Sequence, residues 1–237
     1  MAARGRRAVT SLGERVWTDV PGGTVAVPVG SVEQHGPHLP LDTDTRIAAA
    51  VAEAVTETVG GGLVAPAITY GASGEHEGFR GTVSIGLDVL TSLVVEYGRS
   101  AFRWAERVVF VNGHGGNGSA LRDAVTLLRH EGRDAAWFQC AVPGADAHAG
   151  RTETSLLLHL DPRSVRVDAA EAGVTDPVSN LMDRLRVEGV AGVSPTGVLG
   201  DPTGANAAEG ERLLTDLRHR FRVSVDRWTP DDRAVLR

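Results

Sequence analysis

The sequence predicts an α/β domain with a largely parallel sheet and helices on both faces. Three observations carry that expectation. Short, nearly all-apolar runs recur at residues 24–29, 63–66, 107–111 and 134–140, as strands buried on both faces require. Segments with apolar residues at helical spacing separate them. Charged or glycine-rich segments follow the first and third runs at once, and α/β sheets place their sites there, at the carboxyl ends of strands.

Taken in order, residues 1–10 read as a disordered tail, basic at Arg4, Arg6 and Arg7. No apolar stretch follows, so no signal peptide is expected. Residues 11–17 are expected as a short helix capped by Ser11 and ending before Pro21. After the first strand and the segment behind it, residues 44–58 read as a helix with Asp44 at its N-cap. Ile47, Val51, Ala54 and Val55 share one face of it, and Gly60, Gly61 and Gly62 end it. Residues 67–86 form a long glycine-rich loop, of a length that is usually functional or mobile. It carries Glu75, His76 and Glu77, and both an exposed charged loop and a substrate contact fit them. Residues 87–104 are a helix whose Leu90, Leu93, Val94 and Tyr97 read as core. The third strand leads through Asn112 to Gly118 into a helix at 119–130, and the fourth ends near Cys140. A loop carrying Asp146 and His148 then runs into a helix ending at Leu160. Residues 165–167 read as a strand, 176–188 as a helix, 192–204 as a second glycine- and proline-rich loop, and 205–225 as a long amphipathic helix.

At 237 residues, 42% hydrophobic and 23% charged, the chain has the make-up of one large soluble domain spanning residues 1–237. A net charge of −6 gives no general attraction to nucleic acid or to an anionic membrane, and neither is an expected partner. No apolar stretch approaches the roughly 20 residues that cross a bilayer. The single cysteine, Cys140, excludes an internal disulfide and a thiolate cluster and fits a reducing cytoplasm. All 24 basic residues are arginine, which excludes a lysine Schiff base, a lysine general base and a P-loop.

The segment 30–44, GSVEQHGPHLPLDTD, holds Glu33, His35, His38, Asp42 and Asp44 directly after a strand. Glu33 and His35 are two apart and would point the same way on extended backbone. A carboxylate and an imidazole at a strand end are fitting ligands for a divalent metal, and Asp44 can return to the same spot. A solvated polar loop is the plain alternative. Gly113–Gly118 matches G-x-G-x-x-G on a strand-to-helix turn, so dinucleotide binding is a rival reading. His114 fills the position where backbone should approach a pyrophosphate. No acid ends the following strand. With His114 as a metal ligand instead, the glycines would let the turn approach the ion. His148 and Glu153 come from the last loop, though Glu153 could equally cap its helix.

The motifs VPVGSVEQHGPHLPLDTDT, VNGHGGN, HAGRTETS and GVLGDPT, in this order, resemble the creatininase family of metal-dependent amidohydrolases over most of the chain. The resemblance implies an α/β/α sandwich holding two adjacent divalent ions. Glu33 and His114 would hold one, His35 the other, Asp44 would bridge, and His148 matches the catalytic histidine. Zn, Mn and Fe(II) all suit such ligands. Gly116 departs from creatinine-hydrolysing members, where a Glu completes the second metal, and Glu153 is the candidate replacement. Those members also place an indole near the position of Gly144 and a Tyr at the position of Gly115, which argues against creatinine as substrate. GEHEGFRGTVSIG and DAHAGRTETS look most like the branch of mycofactocin biosynthesis, peptidases that release a modified C-terminal Val-Tyr dipeptide from a ribosomal precursor peptide. Arg80 stands where relatives of that branch often have proline. Glu75 and His76 would then face substrate. A formamide- or lactam-hydrolysing relative is the alternative within the family, and a non-catalytic metal-binding or nucleotide-binding protein the alternative outside it. Family resemblance also implies a homo-oligomer, a hexamer.

Overall fold

The computed structural model describes residues 11–237, so the tail expected at 1–10 lies outside the described residues. Strands β1 (Thr24–Val29), β2 (Gly62–Val64), β3 (Arg107–Asn112) and β4 (Ala135–Gln139) form one sheet in the order β2-β1-β3-β4. Every pairing is parallel, with Val27 opposite Phe110 and Phe110 opposite Trp137. The two-residue period of a strand sorts the side chains into two cores. Val25, Val27, Phe110 and Trp137 face one way, against α2 (Leu87–Ala101) and α3 (Gly118–His130). Ala26, Val109, Val111 and Phe138 face the other, against α1 (Thr43–Ala52), α4 (Arg151–Leu160) and α6 (Ala207–Arg227). The result is the expected three-layer sandwich. A third apolar cluster lies apart, where Leu181, Val190 and Val193 of α5 (Val178–Val193) pack with Leu199. Among the described residues no helix is long and apolar enough to cross a membrane.

Several local expectations change. Residues 11–17 form no helix; two 3-10 turns, Leu12–Glu14 and Trp17–Asp19, flank an extended break, and Ser11 makes no side-chain cap. Ser11 instead bridges Val64, so this stretch lies along β2. The N-cap of α1 is Asp42, and Asp44 sits inside the first turn, buried. From Glu53 the helix tightens into a 3-10 turn, after which the Thr58 hydroxyl donates to Val55 O at 2.7 Å. Residues 165–167 are not a strand: Pro162 starts one 3-10 turn, Val167 another, and the Arg166 amide bonds His38 O rather than a sheet edge. The helix expected over 176–188 starts at Val178 and breaks, as expected, after 188 at Gly189 (φ 65°, ψ −176°), beyond which a short second helical stretch reaches Val193.

Candidate metal centre

Backbone approach builds the site. A Cβ on Gly30 would lie 2.5 Å from the Thr45 backbone, and one on Gly113 would collide with Asp44 O. The two glycines let the ends of β1 and β3 close on the first turn of α1. Asn117 laces the same ends to the long loop: its amide donates to Gly30 O (2.9 Å) and its oxygen accepts from Ala72 N (2.9 Å). The 3-10 turn Gly74–His76 supplies Glu75 and His76, and α4 with its preceding loop supplies Glu153 and His148.

Every residue expected at the site joins this cluster. His114 Nδ1 lies 3.2 Å from Glu33 Oε2 and 3.4 Å from Asp44 Oδ2. His35 Nε2 lies 3.2 Å from Asp44 Oδ1 and 3.9 Å from Glu153 Oε2. Asp44 thus divides its two oxygens between two imidazoles. His76 Nε2 and His148 Nδ1 face Glu33 Oε1 at 3.3 and 3.8 Å. Glu75 Oε1 is 3.5 Å from His114 Nε2. His38 and Asp42, from the same opening segment, do other work: His38 bonds Thr154 Oγ1 and Asp42 pairs with Arg46. Glu33 and His35 reach the site from irregular backbone, not from an extended strand.

The charges are mutually arranged. Burial and Asp44 push the Glu33 carboxyl up, but His114 and His35 outweigh them and hold it at about 2. Burial raises Asp44 too, and His35 and His114 again prevail, keeping it well below the usual carboxylate range. Burial opposes protonation of His35, yet Asp44, Glu153 and Glu33 raise it to about 10. His114 is lifted well above the usual imidazole range, against burial, by Glu33 and Asp44. Burial pushes Glu153 up to about 7 and also raises Glu75. His148 is held neutral by burial and by His35 and His76. His76 is lowered by burial to about 4.

Whether this cluster fits a metal is decided at Glu33. Both its oxygens are buried and make no hydrogen bond, although imidazole nitrogens stand 3.2 and 3.3 Å away. Buried carboxylate oxygens are rarely left so. Behind the cluster, His35 Nδ1 donates to Glu33 O (3.1 Å) and His114 Nε2 to Ala72 O (3.1 Å). Each ring therefore turns its other nitrogen inward, the orientation of ligating histidines once that nitrogen gives up its proton. The groups Glu33–His35–Asp44, His35–His148–Glu153 and Glu33–His76–His148 each gather donor atoms within 4.8 Å of one another. The residues fit divalent ions held by oxygen and nitrogen. Three contributors were not legible in the sequence. Ser31 Oγ donates to Asp44 Oδ2 at 2.6 Å, and Gln34 bonds two of the histidines. Val178, Met182, Leu185 and Arg186 of α5 roof a cavity of about 490 Å³ over the cluster.

A parallel α/β sheet with carboxylates and imidazoles gathered at its strand ends defines a metal-binding enzyme class. The creatinine amidohydrolase (creatininase) family model matches residues 15–223, and the chain belongs to that family of amide hydrolases. It is 58% identical over 232 residues to the mycofactocin precursor peptide peptidase of Mycolicibacterium smegmatis (strain ATCC 700084 / mc(2)155), spanning 96% of this chain and 93% of that one. It also resembles a solved manganese creatininase (TM-score 0.78, 26% identity, 93% of this chain, 99% of that one). A mutant creatininase of Zn-Zn type superposes with a TM-score of 0.77 at 26% identity, over 93% of this chain and 98% of that one.

Proposed function

We propose that this chain is a metal-dependent peptidase that cleaves a modified mycofactocin precursor peptide and releases its C-terminal crosslinked Val-Tyr dipeptide. The observation that carries the chemistry is the buried Glu33 carboxylate without a hydrogen bond, set among imidazoles. The substrate assignment follows the 58% identity to the mycobacterial peptidase. Glu33 and His114 would hold one divalent ion and His35 and Glu153 a second, with Asp44 placed between them; Zn, Mn and Fe(II) all suit the set. When bound, such a pair lowers the pKa of a water and polarises the scissile carbonyl. His148 donates Nε2–H to Gln34 O at 2.7 Å, which leaves Nδ1 bare toward the site. Neutral at rest, it takes at Nδ1 a proton from the attacking water and passes it to the leaving amide nitrogen, as the water oxygen bonds the carbonyl carbon and the C–N bond breaks, giving a carboxylate and an amine. Glu75 faces the substrate from the edge of the cavity. Trp137 lies in β4 with its indole bonded to Arg233 O, and so closes over no ring in the cavity. The enzyme works in the cytoplasm as a homo-oligomer, a hexamer by resemblance, which light scattering reads directly.

The test measures metal content and peptide cleavage on one preparation, for wild type and Glu33→Ala. Wild type binds metal and releases the C-terminal fragment of a precursor peptide ending in the crosslinked pair, read by mass spectrometry. Glu33→Ala loses both. Bound metal without peptide cleavage moves the substrate to formamides or cyclic amides. Full cleavage by metal-free protein overturns the mechanism.

A further inference from the structure

Three of the four histidines around Glu33 share one arrangement. His35 turns Nδ1 to Glu33 O, His114 turns Nε2 to Ala72 O, and His148 turns Nε2 to Gln34 O. A carbonyl only accepts, so that nitrogen carries a proton and the other is the one left to face the site. His76 differs. Its Nδ1 lies 2.9 Å from Gln34 Nε2, an amide donor. We infer that Gln34 is a positioning residue that fixes the proton of His76 on Nε2, pointing into the site, and so makes His76 an N–H donor there rather than a metal ligand.

The hydrogen count at Gln34 leads to this assignment. The amide is held in one orientation because Gly36 N–H donates to its Oε1 at 2.8 Å. Its Nε2 carries two hydrogens and has three neighbours: His76 Nδ1 (2.9 Å), His148 Nε2 (3.1 Å) and Gly197 O (3.2 Å). His148 Nε2 already bears the proton it gives to Gln34 O, 2.7 Å away, so it accepts nothing. The two amide hydrogens therefore go to His76 Nδ1 and Gly197 O. A ring nitrogen that accepts from an amide is bare, so the neutral His76 ring carries its proton on Nε2, 3.3 Å from Glu33 Oε1. Gly197 is fitted to this amide: it has φ 81°, and a Cβ there would collide with Gln34 Oε1. His76 thus turns its N–H into the site beside one oxygen of Glu33, without a hydrogen bond to it, while His114 brings Nδ1 to the other. The catalytic consequence rests on the peptidase reading; the tautomer does not.

The test uses zinc-loaded protein labelled with ¹⁵N at its 8 histidines, read by magic-angle-spinning NMR. His76→Gln assigns the His76 signals. In wild type, His76 carries its proton on Nε2. In Gln34→Glu a carboxylate accepts where the amide donated, and His76 takes a proton at Nδ1. His148 keeps Nε2–H because its partner is a backbone carbonyl. His76→Gln retains the wild-type zinc content, whereas His114→Gln loses zinc. With metal saturating, Gln34→Glu lowers kcat on the order of 100-fold, the scale of losing one positioned N–H donor, with KM within about twofold. A wild-type His76 protonated on Nδ1 alone overturns the inference, as does zinc loss in His76→Gln equal to that in His114→Gln. Unchanged kcat in a Gln34→Glu variant that has switched the tautomer overturns the positioning role. The wild-type spectrum and the His76→Gln zinc count decide even if Gln34→Glu fails to fold. A wild-type enzyme with the expected spectrum but no peptide turnover refutes the peptidase reading and leaves the tautomer standing.

Discussion

At Gly116, room limits what side chain the site can hold. A Cβ there would collide with His114 Nε2 and lie 2.5 Å from Ala72 O and 2.8 Å from Glu75 Oε1. The position cannot supply the Glu that creatinine-hydrolysing relatives carry. The carboxylate near His35 comes from α4 instead, with Glu153 Oε2 at 3.9 Å. Gly116→Ala therefore displaces the His114 ring, and a misplacement on the order of 1 Å costs about 100-fold in turnover. Gly115→Ala, whose Cβ meets nothing within 4 Å, stays within about twofold. The comparison is kcat/KM for both variants, with circular dichroism to confirm folding; wild-type turnover in Gly116→Ala would mean the ring is free to give way. Glu33, His35 and His114 were legible because each sits just past a strand end, and that placement is local in sequence. Gln34 was not. Its side-chain amide acts on His76 and Gly197, which are 42 and 163 residues away, and between two candidate ligands it reads as a spacer.

The α5 helix carries the same ambiguity at the scale of an element. Val178, Met182 and Leu185 recur at i, i+4 and i+7 and roof the site cavity, while Leu181 packs with Val190 and Val193. An apolar stripe has one spacing whether it meets a core or a ligand, so the sequence indicated the helix but not its second face. The strands were legible because a short run that is apolar at nearly every position suits a strand covered on both faces, and glycine and charge bound each run. Residues 165–167 failed because three residues with no sheet edge to join are held by turns. Within α5, Gly189 at φ 65° and ψ −176° occupies a region that side chains avoid, and a Cβ there would stand 3.0 Å from Glu75 O. Gly189→Ala either holds that strain, about 1–3 kcal/mol, or relaxes toward helix and swings the roof off the 3-10 turn at Gly74–His76. At about 2–4 °C per kcal/mol, its melting temperature falls by several degrees. KM for the peptide rises severalfold, with metal content unchanged. An unchanged KM beside a lowered melting temperature would detach the roof from substrate binding.

For the whole molecule, the fold gathers two strong acids and two strong bases in a dry centre, and protons and metal ions compete for it. In metal-free protein His35 titrates at about 10, raised by Asp44, Glu153 and Glu33 against burial, from an unfolded value of 6.5; His114 shifts the same way. A raised folded value means the folded state binds more protons, so this stabilisation is complete below pH 6.5 and is lost as pH climbs toward 10. Glu33 and Asp44, held low, are already ionised above pH 7 and add no slope there. Metal-free protein therefore loses stability from pH 7 to 9, by at most about 1.4 kcal/mol per pH unit for each titrating group. Ions bound by the same nitrogens displace those protons, so metal binding at pH 7 releases protons and tightens as pH rises. Metal-loaded protein gains RT ln(1 + [L]/Kd) over the free form, and that gain widens across the window. Urea denaturation of both forms at pH 7, 8 and 9, with calorimetry in two buffers of different ionisation enthalpy, measures the slope and the proton release. Metal-free stability that rises with pH, or binding heats independent of the buffer, would mean that His35 and His114 are neutral before the metal arrives. The buried carboxylates would then face each other without compensation, and metal removal alone should unfold the sheet ends around them.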